Sequence, residues 1–535
     1  MSAADRDRRP GPGLAPGLAP GPTSLLLANA DLRTMQPATT PAQQGHRGAT
    51  PTHLLAHDGR IVALGGAELL AHRHEVDEVV DAGGASVLPG FVDTHLHVGI
   101  TGLGMLAIDV TNAPDLAAVA HRIRAGTAPD APTGQLVVAT GLDTTALAER
   151  RMPTAAELDV WAGSRPVYLM GVTGHESAVN TAAAARLAVE TGGPPPPAGH
   201  LTGADNIAAF THLWRVFADQ VDVEVALRTA LEDARRNGVT TVHALEPPER
   251  ATVLRDPARR WPVRIRTYVE SFDLDVARQL RSPGVGGCGA AALDGDVDAH
   301  TAALLAPYTD DPSTCGQLAY DDVEVARFVA DAHAAGLQVA LHCVGSGAIE
   351  QALRAMTSAV GPTPGDHRHR IEHFSLPEPG QAERAAAAGI AVGAQPAFNH
   401  LWPHHDGYPP LLGAERAGRV DPVRSLIDAG VRTGFGSDGP VTPRRPMLAV
   451  HAAVNHSNPA ERIPVATALA AHTREAAWLG FDEQDLGVLA PGMSADLAVL
   501  DRPLAEVPDA ELADVEVAAT VIAGAVVWRA TPAGP

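Results

Sequence analysis

Val87-Leu88-Pro89-Gly90-Phe91-Val92-Asp93-Thr94-His95-Leu96-His97 is an apolar run that ends in two histidines one residue apart. The apolar half has the length and composition of a buried strand. Residues two apart in a strand point the same way, so His95 and His97 can aim at one ion from the strand's C-terminal end. Taken alone the pattern is weak, because the chain holds 24 His and two turn or surface histidines would read identically. Further along, three more polar groups close runs of the same kind. His342 ends Leu337-Gln338-Val339-Ala340-Leu341, His373 ends His369-Arg370-Ile371-Glu372, and Asp438 ends Gly434-Phe435-Gly436-Ser437. Four imidazoles and one carboxylate suit a zinc-type site that keeps one position open for water.

These runs belong to an alternating pattern. Strand-length apolar runs occupy 87–92, 167–172, 239–244, 263–269, 338–342, 369–374, 390–394 and 431–437. Ala-rich amphipathic stretches at 223–237, 321–335, 347–359, 377–388 and 422–430 read as helices. Repeated strand–helix units imply a parallel α/β fold. Roughly eight units, with polar residues gathered just past strand ends, favour a distorted TIM (β/α)8 barrel over an open sheet. The barrel is expected over 87–486, with an insertion at about 181–222 that contains Pro194 to Pro197. Shorter runs at 25–32, 53–56, 60–64 and 78–80 have counterparts at 495–500 and 515–527. Neither group makes a domain alone, so 25–86 and 487–530 are expected to pair into one small β-sandwich. Residues 1–24 are Pro/Gly/Ala-rich with early arginines, as in a disordered tail.

Composition narrows the function. All 40 basic residues are Arg, and the chain contains no Lys. A formal charge of −22 argues against nucleic acid, whose phosphates it would repel. No run approaches the ~18 apolar residues of a membrane span. Cys288, Cys315 and Cys343 are too few and too scattered for a disulfide framework or a zinc knuckle. A small-molecule substrate and a cytoplasmic location are the expectations; homo-oligomerisation stays open.

The combined motifs resemble the amidohydrolase superfamily of metal-dependent hydrolases. The likeness rests on Leu88 to His97, Val339-Ala340-Leu341-His342, Arg370-Ile371-Glu372-His373, Gly436-Ser437-Asp438-Gly439-Pro440 and Gly487 to Leu497. Within it, Gly171 to Asn180 (with His175), Asp294-Gly295, Pro307-Tyr308 and Arg424-Ser425-Leu426 look like amidohydrolase family 3, which includes formamide deformylase-like enzymes. The resemblance implies a distorted TIM barrel, one or two divalent ions, zinc first among them, and hydrolysis of C–N or C–O bonds. It also implies a carboxylated lysine bridging two metals shortly before Asp294-Gly295. Here that stretch is Cys288-Gly289-Ala290-Ala291-Ala292-Leu293, without lysine. Gly345-Ser346 and Ala244 also depart from the family's usual Gly-Asp and Asp. Two repairs are open: Glu246 supplies a bridging carboxylate, or the site holds one ion. The bland reading of Glu246 is a solvated loop residue.

In the catalytic reading a bound ion acidifies its water and polarises a carbonyl. Asp438 is the base and then the acid, His342 and His373 are ligands or carbonyl polarisers, and His175 stabilises the oxyanion or merely starts a helix. A loop at 399–405, His300 and the pair Arg444-Arg445 are expected near the pocket or in solvent. Cys343 is read as buried packing. The leading function is hydrolysis of a small amide or N-substituted formamide. The alternatives are hydrolysis of a cyclic amide, ester or lactone, ring deamination, and a non-catalytic barrel serving as a scaffold.

Overall fold

The computed structural model describes residues 24–37, 51–127, 132, 134–144, 146–171, 176–194, 199–402 and 404–531. The expected tail at 1–24 lies outside the described residues except for Ser24, which begins a strand. Eight parallel strands form a barrel: β1 (Phe91–Leu96), β2 (Val239–Glu246), β3 (Arg264–Val269), β4 (Gly284–Gly287), β5 (Gln338–Cys343), β6 (Arg370–His373), β7 (Ala391–Ala394) and β8 (Thr433–Phe435). Each pairs with the next in chain order, and the ends of β1 and β8 meet. The Asp438 N–H donates to the His95 carbonyl at 2.7 Å, and the His97 N–H donates to the Gly439 carbonyl at 3.2 Å. β2 is buried along its whole length, as expected of a barrel strand covered by helices outside and side chains inside.

The helices follow from ordinary local signals. Asp322–Ala334 starts at a capping box between Asp321 and Glu324 and turns Val325, Phe328, Val329 and Ala332 inward. Ser346–Val360 buries Ile349, Leu353 and Met356, one face at helical spacing.

Two of the expected barrel elements differ in the structure. The run at 87–92 is two strands: Ser86–Pro89 lies in another sheet, and the barrel strand starts at Phe91. Gly90 makes the switch where a Cβ would lie 2.3 Å from the Thr240 side chain. The run at 167–172 is not a barrel strand. Val167–Gly171 sits instead in a five-stranded sheet with Ile108–Asp109, Val137–Leu142, Glu176–Val179 and Gly199–Thr202. That sheet belongs to a second compact unit, Val98–Ala230, which contains the 181–222 stretch. Its interior includes Leu116, Val119, Ile123, Leu158 and Leu169.

The missing eighth strand is β4, Gly-Val-Gly-Gly, whose composition disfavours a strand assignment. Gly286 has φ +88°, and a Cβ there would stand 2.0 Å from the Ala340 carbonyl oxygen of β5. Close approach to the neighbouring strand thus demands glycine and hides the strand from propensity.

The chain ends form two further sheets. One is ordered Arg60–Gly65, His53–His57, Ser24–Ala28, Glu78–Asp81; the other is Asp31–Leu32, Ser86–Pro89, Leu497–Leu500, Val517–Ile522, Ala525–Arg529. Leu25, Leu27, Leu54, Leu497 and Val521 are fully buried in the core they share, each worth about 2 kcal/mol of apolar burial. Among the described residues, no helix is long and apolar enough to cross a membrane.

Candidate metal centre

His95, His97, His342, His373 and Asp438 come together at the C-terminal ends of β1, β5, β6 and β8. Asp438 Oδ1 lies 3.2 Å from His95 Nε2 and 3.2 Å from His97 Nε2, and the two imidazole nitrogens are 3.4 Å apart. A sixth side chain, Cys288, occupies the middle. Its Sγ is 3.4 Å from His95 Nε2, 3.5 Å from His342 Nδ1 and 3.8 Å from His373 Nε2. Metal-capable groups thus include His95–His97–Asp438 and His95–Cys288–His373.

The outward nitrogens are held by acceptors. His95 Nδ1 donates to Glu372 Oε2 at 2.7 Å. His97 Nδ1 donates to the Leu245 carbonyl at 3.2 Å, with Glu270 Oε1 3.4 Å away. His373 Nδ1 donates to Gln395 Oε1 at 2.8 Å. Fixing the outer N–H leaves each inner nitrogen as a lone-pair donor, which is how proteins orient histidine ligands.

Spacing supports the same conclusion. Tetrahedral geometry with Zn–N near 2.05 Å and Zn–S near 2.3 Å separates neighbouring donors by about 3.3–3.6 Å. The separations of 3.2 to 3.8 Å match this. The residues therefore fit a divalent ion of zinc type.

The scaffold behind the donors is polar and locked. Arg370 Nε pairs with Glu372 Oε1 at 2.6 Å, both side chains fully buried. Arg370 also donates to the Thr94 carbonyl and to His243 Nδ1, at 2.9 Å each. Burial and the neighbouring Arg370 charge hold His243 well below the usual imidazole range, so it accepts. Asp93 receives the Ser437 N–H at 2.9 Å, the Ser437 hydroxyl at 2.6 Å and the His95 N–H at 3.1 Å. It thereby ties the loop carrying Asp438 to β1. Asp438 and His373 both adopt left-handed backbone, φ +52° and +68°, unusual for such residues and common where a side chain is aimed for function. Gly436 permits the approach: a Cβ there would lie 2.6 Å from the His95 nitrogen.

Without an ion, burial would raise the Asp438 carboxyl, but the charge of His95 and hydrogen bonds from His95 and His97 hold it well below the carboxylate range. Burial drives His342 down to about 4 and His373 well below the imidazole range, so both are neutral and able to donate lone pairs. Burial pushes the Cys288 thiol up to about 12.

The remaining sequence candidates divide clearly. Glu246 is buried, not solvated, and its carboxylate is turned to Arg250 at 2.6 Å; it is in neither metal-capable group, and of the five strand-end donors His342 too lies outside both, touching the centre through the Cys288 sulfur. His175 lies outside the described residues. Asn180 is structural: its Oδ1 caps the helix Thr181–Thr191 at the Ala183 N–H and accepts the Val167 N–H. His300 pairs with Asp310 at 3.0 Å. Arg444 pairs with Asp233 at 2.6 Å, and Arg445 donates to the Ala513 carbonyl. Cys343 is fully buried. The stretch expected as a loop at 399–405 carries parts of two helices, Ala397–Leu401 and His404–Leu412. Phe398 from the first stacks on His373, with ring centroids 6.1 Å apart. Asp294 is a buried brace that accepts the N–H groups of Ala303, Val344 and Gly345.

Sequence reasoning missed Cys288 and Glu270. Cys288 directly follows β4, so reading that Gly-rich run as a strand would have put the thiol at a strand end like the other donors.

The sequence profile of the amidohydrolase family matches residues 78–528. Relatives include N-substituted formamide deformylase of Arthrobacter pascens, 26% identical over 522 residues, 89% of this chain and 93% of that protein. Protein LONG AFTER FAR-RED 3 of Arabidopsis thaliana is 27% identical over 491 residues, covering 83% and 82%. Among solved structures, an uncharacterized metal-dependent hydrolase from Pyrococcus horikoshii OT3 shares the fold, with a TM-score of 0.73 and 24% identity over 91% of this chain and 99% of that one.

Proposed function

The chain belongs to the amidohydrolase family, and from that premise we propose that it is a metal-dependent hydrolase that cleaves the C–N bond of a small amide, with N-substituted formamides as the substrate class and zinc as the metal. The observation that carries the reading is the convergence of His95, His97, His342, His373 and Asp438 at one end of the barrel.

His95, His97 and Asp438 would hold one ion; His342 and His373 stand beside them, 3.5 and 3.8 Å from the Cys288 sulfur. When bound, such an ion supplies Lewis acidity and a water of lowered pKa. The chain's own part is proton movement and positioning. Asp438 Oδ1, 3.2 Å from both inner imidazole nitrogens, would face the ion with them, which leaves Oδ2 to take the proton of the attacking water and return it to the departing amine nitrogen. Neutral His373, its Nδ1–H held by Gln395, turns the Nε2 lone pair toward the centre as a ligand. Phe398 stands over His373, and Trp402 lies 6.0 Å from Phe398 and is 38% exposed. This aromatic wall runs outward from the centre and suits an apolar or aryl nitrogen substituent. The relation to a formamide deformylase supports the small acyl group.

The test is a substrate panel on metal-replete protein, scored separately for formate, ammonia and carboxylic acid. Formate release from N-alkyl or N-aryl formamides supports the reading. Ammonia release from rings alone, or acid release from lactones alone, would replace it.

A further inference from the structure

The centre contains a group that the carboxylate and imidazole chemistry above does not use. Cys288 is 8% exposed and stands at the C-terminal end of β4, the face where the histidines gather. It packs in one buried cluster with Leu245, Tyr268 and Ala340, and its Sγ lies within 3.8 Å of three imidazole nitrogens. The sulfur reaches both halves of the imidazole group: His95 on one side at 3.4 Å, His342 and His373 on the other at 3.5 and 3.8 Å. Two metal positions sharing one donor require that arrangement. A donor between them must also be anionic, because the imidazoles are neutral ligands and Asp438 brings a single negative charge. Glu246 is committed to Arg250, and Glu270 approaches the outer nitrogen of His97. No lysine exists to be carboxylated.

We propose that Cys288 is a metal ligand, its thiolate shared by two divalent ions: one with His95, His97 and Asp438, the other with His342 and His373. The proposal rests on the metal-hydrolase reading and specifies how its centre is assembled. Thiolate is an established zinc ligand at about 2.3 Å. Binding releases the thiol proton to solvent, so S–H gives way to two S–metal bonds and charge balances. The second position then has three protein donors and one place open, the pattern of a catalytic site.

The experiment uses the full chain, stripped and reloaded with Zn(II) or Co(II). Expected are two ions per chain by elemental analysis, a sulfur shell at about 2.3 Å in zinc X-ray absorption, and a sulfur-to-cobalt charge-transfer band. Cys288→Ser should fall to one ion per chain and lose the band; Cys315→Ser, at an exposed thiol, should keep both. Two ions without a sulfur shell, a single ion in the wild type, or an undiminished band in Cys288→Ser would overturn the bridge. The wild-type absorption spectrum decides the matter if Cys288→Ser fails to fold. A wild-type chain that takes up no ion at all would overturn the hydrolase centre itself, and the bridge with it.

Discussion

Glu372 is the residue whose loss should be felt most widely, because one carboxylate serves two buried partners. Oε2 accepts from His95 Nδ1 at 2.7 Å, and Oε1 pairs with Arg370 Nε at 2.6 Å, with all three side chains fully buried. Glu372→Gln keeps an oxygen for His95 but strands the Arg370 charge. Breaking one side of a buried pair costs about 3–5 kcal/mol. Arg370 retains the Thr94 carbonyl, His243 and the Tyr268 ring face at 4.3 Å, which places the cost near the lower end, about 3 kcal/mol. Loss of the acceptor that orients a ligand histidine lowers metal affinity about 10–100-fold; Gln should lie at the mild end and Ala at the severe one. Urea unfolding of the metal-free chain reads the first effect, and chelator competition reads the second. Arg370→Met combined with Glu372→Gln removes the stranded charge, so the double variant should be more stable than the sum of the singles by at least about 1 kcal/mol. The reasoning is refuted if Glu372→Gln lies within about 0.5 kcal/mol of wild type and binds zinc equally well.

Other consequences are simpler. Asp438→Asn should cut turnover about 10²–10⁴-fold in steady-state assays while the circular dichroism spectrum is retained. Chelation should abolish activity, and Zn(II), Mn(II) or Co(II) should restore it; activity that survives exhaustive chelation contradicts the metal role. Phe398→Ala should raise KM for an N-aryl formamide about tenfold, the value of a lost aromatic contact, and change an N-methyl substrate little. In the Val98–Ala230 unit, Thr154→Ala removes the capping box with Glu157 and should cost about 1 kcal/mol in the unfolding of that unit. Hydrogen bonds from Arg151 hold the Glu157 carboxyl down at about 2. Its folded pKa is depressed, so its contribution is complete above about 4.5 and is lost as pH falls toward 2. Glu157→Gln should flatten the acid limb of the stability profile across that window.

Much of the barrel was legible because its strands are runs of Val, Ile, Leu and Ala bounded by helices with ordinary caps. What failed has physical causes. β4 is Gly-Val-Gly-Gly because it lies against Tyr268 and the Ala340 carbonyl, so its composition follows packing and not propensity. Val167–Gly171 reads like a barrel strand because it too is a buried parallel strand, paired with Val137–Leu142; periodicity does not say which sheet a strand joins. The break at Gly90 is invisible within an unbroken apolar run. In the site, the donors at strand ends were readable because each sits beside an apolar run. Cys288 was not, since its Gly-rich strand carries no strand signal, and Glu246 looked available because nothing in the sequence shows that Arg250, four residues on in the next helix, takes its carboxylate.

Diffraction from crystals of the zinc-replete chain, collected on both sides of the zinc edge, tests the metal centre most directly. The expected result is anomalous density enclosed by His95, His97, His342, His373 and Asp438, divided into two peaks with Cys288 Sγ between them. An empty ring of histidines, with zinc elsewhere on the chain or nowhere, would contradict the reading of these residues as a hydrolytic metal site.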